Sequence, residues 1–244
     1  MKFVKKLSAA ALATSALLAL PLASQAAPVE LVTNGGFEIT NPGADLEFDY
    51  ATIASGWTSS GYNFIFSGPS ATADGSGGPV SLWAAATSPV GGNFVAADGA
   101  YQTAPIQQTI SGLTPGSQYV VSFWYGYAQQ AGYDGDTIQN WTVSLGSESQ
   151  TLANYSLPEH TFSGWQQANL TFTAQNSTEV LSFLAWGNLP VPPFALLDGV
   201  SMTEATVPEP ESLALVSLAL VGMFGAARVR RSRQSGSADK ASQA

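Results

Sequence analysis

Cysteine is absent from all 244 residues, so no disulfide staples the chain and its stability must come from packing or from a bound group. Basic residues are scarce as well: there are eight Lys and Arg against 17 Asp and Glu, and no Lys or Arg falls between Pro28 and Val207. The intervening body is purely acidic. Such a surface repels phosphate backbones, which argues against nucleic acid as a partner. Without Lys or Arg, its carboxylates turn to water, backbone N–H groups or cations. Histidine occurs once, as His160 in Leu157-Pro158-Glu159-His160, and no serine or cysteine motif beside it supports a Ser-His-Asp assembly. Sustained helical spacing of apolar residues is also missing from the body, which excludes a helical bundle.

What is present begins at the ends. Lys2, Lys5 and Lys6 precede an apolar run from Leu7 to Leu22, followed by Ala23-Ser24-Gln25-Ala26-Ala27. That is the order of a secretory signal peptide over residues 1–26, with signal peptidase expected to cut after Ala26. The run is shorter than a membrane-spanning helix of about 20 residues. At the other end, Val207-Pro208-Glu209-Pro210-Glu211 leads into an uncharged apolar segment, residues 212–227. Arg228, Arg230, Arg231 and Arg233 follow in the basic cluster 228–233, and a polar tail, 234–244, completes the chain. Proline cannot donate a backbone hydrogen bond, so Pro208 and Pro210 separate the segment from the body. Residues 212–227 read as a single transmembrane helix, and the arginines place its far end in the cytoplasm. The body is left outside the inner membrane, in agreement with the signal peptide.

This arrangement, with Val207-Pro208-Glu209-Pro210 ahead of a short apolar helix and an Arg cluster, resembles the PEP-CTERM sorting signal of Gram-negative bacteria, here 207–233. The resemblance implies that the membrane protease exosortase acts on the motif and removes the helix and basic tail. The precursor is then inserted only transiently in the inner membrane, and the product passes to the cell surface or extracellular matrix. Gln234 to Ala244 departs from the pattern by extending beyond the arginines.

Residues 27–206 leave about 180 residues, enough for one domain with its own core. They are rich in Gly, Ser, Thr, Asn and Gln, with aromatics spread throughout, and short alternating runs between turn residues predict an all-β sandwich. Strands are expected at Glu30–Val32, Phe37–Ile39, Asn93–Ala97, Ile106–Ile110, Tyr119–Tyr127, Trp141–Leu145, Gln166–Phe172, Glu179–Trp186 and Ala195–Met202. In the run beginning at Tyr119, period two sets Tyr119, Val121, Phe123 and Tyr125 on a core face and Val120, Ser122 and Trp124 on the other. Leu113-Thr114-Pro115-Gly116 before it is a turn. The Gly-, Pro- and Ser-rich stretch from Ser67 to Gly92 reads as long loops.

Several pieces come in a set order: Leu31-Val32-Thr33-Asn34-Gly35-Gly36-Phe37-Glu38, Ile53-Ala54-Ser55-Gly56-Trp57, Gly92-Asn93-Phe94-Val95-Ala96-Ala97-Asp98-Gly99, Ile106 to Leu113 with its Pro-Gly turn, and Leu196-Leu197-Asp198-Gly199-Val200-Ser201-Met202. Together they resemble the galactose-binding-like jelly rolls of exported proteins and carbohydrate-binding modules. The resemblance implies adjacent first and last strands with a structural calcium near them, and Glu38 and Asp198 are the matching carboxylates. Calcium takes six to eight oxygens in flexible geometry, so backbone carbonyls and water would complete its shell. The alternative is that both acids bond to backbone amides. Asp45, Glu47 and Asp49, like Asp134 and Asp136, read as solvated loop acids.

Sugar recognition needs flat aromatic faces with nearby hydrogen-bonding groups, and the candidates are Trp124, Tyr127, Tyr133 and Trp141, with Gln129, Gln130 and Asn140. Trp57 and Trp165 are assigned to packing. The function expected is non-catalytic carbohydrate binding, with exopolysaccharide as the partner. A purely structural matrix or biofilm protein is the alternative, and a glycoside-active enzyme a further one.

Overall fold

The computed structural model describes residues 27–40, 54–67 and 80–205. The expected signal peptide with its expected Ala26 cut, Asp45, Glu47 and Asp49, and the sorting tail with Val207, Pro208, Glu209, Pro210, Arg228, Arg230, Arg231 and Arg233 lie outside the described residues.

Ten strands form among the described residues: β1 (Asn63–Ser67), β2 (Asn93–Asp98), β3 (Ile106–Ser111), β4 (Gln118–Gln129), β5 (Thr137–Leu145), β6 (Glu148–Thr151), β7 (Tyr155–Leu157), β8 (Gln166–Thr173), β9 (Thr178–Gly187) and β10 (Pro193–Glu204). The first sheet runs β1-β2-β10-β4-β8 and the second β3-β9-β5-β6, with β7 also pairing β5. Every pairing is antiparallel. From β2 to β5, and again from β8 to β10, the chain changes sheet at each strand. This is the jelly-roll sandwich expected from the sequence.

Alternation explains the main core. Tyr119, Val121 and Phe123 of β4 meet Trp141, Val143 and Leu145 of β5 and Leu181 and Phe183 of β9 between the sheets. Before β4, the Ser117 N–H donates to the Thr114 carbonyl at 3.0 Å across Pro115 and Gly116, which is the expected turn.

A second apolar cluster occupies the outer face of the first sheet: Phe64, Phe66, Val80, Leu82, Phe94, Ala96, Ala128, Phe194 and Leu196, with Phe162 and Trp165 packed on it. Strands buried on both faces carry unbroken apolar runs instead of alternation, as Phe64-Ile65-Phe66 and Phe194-Ala195-Leu196-Leu197 do. The described part of the Gly-rich stretch, from Val80 onward, provides the cover. Trp165 is anchored there by its indole N–H, which donates to the Ala86 carbonyl at 2.8 Å, and Trp57 is buried in the main core. Both tryptophans pack as the sequence predicts.

One expectation is corrected. Glu30–Val32 and Phe37–Ile39 are not strands. The segment does lie beside β10, held by Leu31 N–H to Met202 O at 3.0 Å and Val200 N–H to Gly35 O at 2.9 Å. A continuous ladder is interrupted because Asn34 and Phe37 have positive φ, and the Glu30 carboxylate takes the Met202 and Val32 amides at 2.8 Å instead.

Candidate functional site

Two places combine exposure, polar groups and specific side chains. The first is built by a bulge in β10. Its register against β4 shifts between Asp198 and Ser201, and Gly199 supplies the positive φ of 57° there. Leu197 and Val200 therefore both face the main core, while Asp198 is directed to the outer side and fully buried. The Gly199 N–H donates to its Oδ1 at 2.6 Å, and Oδ2 has no hydrogen-bond partner. Burial pushes the Asp198 carboxyl up to about 7; the Ser88 hydroxyl and the Gly199 amide oppose this, and the Glu38 carboxylate adds to it.

Glu38 reaches the same place from the N-terminal segment. Its Oε1 accepts the Asn93 N–H at 2.8 Å, and the Asn93 amide in turn donates to the Phe37 carbonyl at 3.1 Å. The carboxylate lies against Gly92, where any Cβ would overlap it. Glu38 and Asp198 are thus near one another, the two carboxylates that the resemblance matches. No group of three or more Asp, Glu, His or Cys with metal-binding spacing occurs among the described residues. A buried carboxylate oxygen without a donor, beside a second carboxylate and the Ser88 hydroxyl, suits an oxygen-seeking cation such as calcium.

The second place is the outer face of the second sheet. Along β9, Leu181, Phe183 and Ala185 point inward, leaving Val180, Ser182, Leu184 and Trp186 outward. Directly opposed residues share a face, so β5 adds Asn140 beside Trp186, Thr142 beside Leu184 and Ser144 beside Ser182. From β3 come Gln107 and Thr109; from β6 and β7 come Thr151, opposite Thr142, and Ser156, opposite Ile138. Of the six tryptophans, all within the described residues, only Trp186 is exposed, at 46%. Ile138, Val180 and Leu184 extend its apolar stripe. The Asn140 amide, largely buried at its foot, donates to Asn154 Oδ1 at 2.7 Å and leaves its own Oδ1 unpartnered. At the β3 edge, Thr58, Ser59, Ser60, Pro105 and Gln107 line a polar pocket of about 260 Å³. This face can offer an apolar platform bordered by neutral hydroxyls and amides.

The aromatic candidates read from the sequence do not assemble. Tyr127 is buried, its ring stacked on Tyr155 at 5.4 Å. Trp141 is buried too, and its indole N–H donates to Leu196 O at 3.2 Å. Neither ring has a face to give a ligand, which corrects both assignments. Tyr127 extends the inward series of Tyr119, Val121 and Phe123, so period two already assigned it to the core. Trp124 is half-buried opposite Asp198, on the outer side of the first sheet. Tyr133 is exposed in the β4–β5 loop, where its carbonyl accepts the Trp83 indole N–H at 2.7 Å. The Trp83 ring in turn lies 4.1 Å from that of His160, which bonds Asp134 at 2.7 Å. Trp186 was overlooked, although its parity against Leu181, Phe183 and Ala185 marks it as outward.

Residues 206–231 match the PEP-CTERM protein-sorting motif. The chain carries an exosortase sorting signal. The motif marks it as an exported, exosortase-sorted protein. None of the curated proteins matches the chain. Among solved structures, the chain is similar to a CBM4 module, with 17% identity over 71% of this chain and 99% of that one and a TM-score of 0.36. It is also similar to the CBM22-1 xylan-binding domain of Xyn10C from Paenibacillus barcinonensis (12%, 75% and 98%, TM-score 0.39). A third is TmCBM61 in complex with β-1,4-galactotriose (15%, 72% and 99%, TM-score 0.33). At these values, function has to be argued from the residues of this chain.

Proposed function

We propose that the processed chain is a non-catalytic, carbohydrate-binding protein of the cell surface or extracellular matrix, which holds exopolysaccharide on the outer face of its second sheet. The observation that carries this reading is Trp186, the one exposed tryptophan, set among Asn140, Thr142, Thr151 and Ser182. An indole face packs on the C–H surface of a sugar ring, and hydroxyl and amide groups replace the water around its hydroxyls. The sorting signal supports the location, since a protein delivered outside the membrane meets the cell's own polymer there.

Calcium belongs to the same proposal as a structural cofactor. Glu38 and Asp198 would hold it, and its charge would satisfy the buried Asp198 oxygen while tying the N-terminal segment to β2 and β10.

A glycan array probed with the full-length chain in mild detergent, alongside its Trp186→Ala variant, tests the binding. Retention of at least one polysaccharide by the parent and its loss in the variant is expected. Absence of binding across the array would favour a purely structural matrix protein.

A further inference from the structure

The outer face of the second sheet has a property that the rest of the body lacks. Its strand positions are Gln107, Thr109 and Ser111 on β3; Thr178, Val180, Ser182, Leu184 and Trp186 on β9; Ile138, Asn140, Thr142 and Ser144 on β5; and Ser149, Thr151 and Ser156 on β6 and β7. Not one of these residues is charged. Acids from the same strands are directed elsewhere: the Glu148 carboxylate accepts the Thr173 N–H at 2.8 Å on β8, and Glu179 is buried, accepting the Gln175 and Asn176 amides at 3.0 Å. In a body whose formal charges are all negative, an entire sheet face is neutral.

From this we infer that the polymer taken by this face is electrically neutral, without uronate, sulfate or phosphate groups. The inference rests on the carbohydrate-binding reading above and specifies its ligand class. A carboxylate or sulfate laid against the face would lose hydration and find no Lys or Arg within the body to replace it. The acids elsewhere on the body would also repel a polyanion as it approached. A neutral polymer meets neither obstacle. The absence of acids on the face fits the same requirement, since a carboxylate trapped beneath a bound sugar ring would itself be desolvated. From Val180 to Trp186 the stripe runs about 20 Å along the strand, which suits several consecutive sugar units.

The test uses the full-length chain in mild detergent against three immobilised pairs: methyl-esterified galacturonan and polygalacturonate, arabinoxylan and glucuronoxylan, hydroxyethyl and carboxymethyl cellulose. Binding is measured from about 0.01 M to about 1 M salt, over which the Debye length falls from about 30 Å to about 3 Å. In whichever pair is recognised, the neutral member should bind with an affinity that changes less than about twofold over this range, and the acidic member about tenfold more weakly at low salt. Thr109→Lys, at an exposed position on the face, should raise binding of the acidic member at low salt and lose that gain at high salt. An acidic member bound by the parent as tightly as its neutral counterpart would overturn the inference while leaving carbohydrate binding intact. If neither member of any pair binds, the carbohydrate-binding reading falls, and this inference with it.

Discussion

Trp186 and Trp141 lie on the second sheet with opposite parity, and the difference decides what each can do. Trp141 fills the main core and bonds the Leu196 carbonyl; truncation to Ala is expected to cost about 3–5 kcal/mol of stability, read from chemical denaturation. Trp186 is exposed at 46%, so Trp186→Ala should leave the unfolding free energy within about 0.5 kcal/mol of the parent. Asp198 supplies a third contrast. Its buried Oδ2 lacks a donor, a costly arrangement for the ionised carboxylate that a bound cation would relieve. A calcium chelator should therefore lower the melting temperature of the parent. Asp198→Asn, which removes one of the two carboxylates, should melt at a temperature that the chelator does not change. A parent melt indifferent to the chelator would remove calcium from the account.

These residues also show how far the sequence could be read. Glu38 and Asp198 were legible as a pair because their motifs stand at the two ends of a recognisable order. Tyr127 and Trp141 qualify as ligand contacts in the sequence only by being aromatic with amides nearby, but proximity in sequence says nothing of burial. Parity does: it assigns Tyr127 to the core and Trp186 to the surface.

At the scale of elements, seven of the strands were expected because they alternate or carry long apolar runs. The three that were overlooked are β1, β6 and β7. β6 and β7 are short, and their pairing is supplied by β5. β1 carries apolar side chains on both faces, a pattern that shows no alternation. The N-terminal segment reads as strand from its short runs between turn residues, whereas Glu30 accepts the Val32 and Met202 amides and Asn34 and Phe37 take positive φ. The β10 bulge was invisible in periodicity because it depends on pairing with β4. Gly199 allows it, and a Cβ there would come within 3.1 Å of Trp124 and 3.2 Å of Val90. Gly199→Ala is expected to destabilise the chain by about 1–2 kcal/mol. It should also reduce the chelator-sensitive part of the melt, because Asp198 would be displaced. An unchanged chelator response in a folded Gly199→Ala variant would separate the bulge from the carboxylate pair.

For the molecule as a whole, the sandwich, its acidic body and its sorting signal fit one route. Ala27 and Ala205 line one pocket together with Leu31, Tyr119 and Glu204, so the described chain begins and ends at the same pole. Replacing Pro208 and Pro210 by Ala should leave the tail attached, and the exported protein should keep the mass of the unprocessed C-terminus. A product trimmed like the parent would place the recognised motif elsewhere. The sorting motif was legible in the sequence because a targeting signal is linear. The binding face was not, because it exists only where β3, β9, β5, β6 and β7 lie side by side.

The most direct measurement is a calorimetric titration of the full-length chain and its Trp186→Ala variant with a neutral polysaccharide retained on the array. Saturable binding by the parent, weakened by at least about tenfold in the equally stable variant, equivalent to about 1.4 kcal/mol, is the predicted result. Equal affinities for parent and variant would contradict the assignment of carbohydrate binding to the outer face of the second sheet.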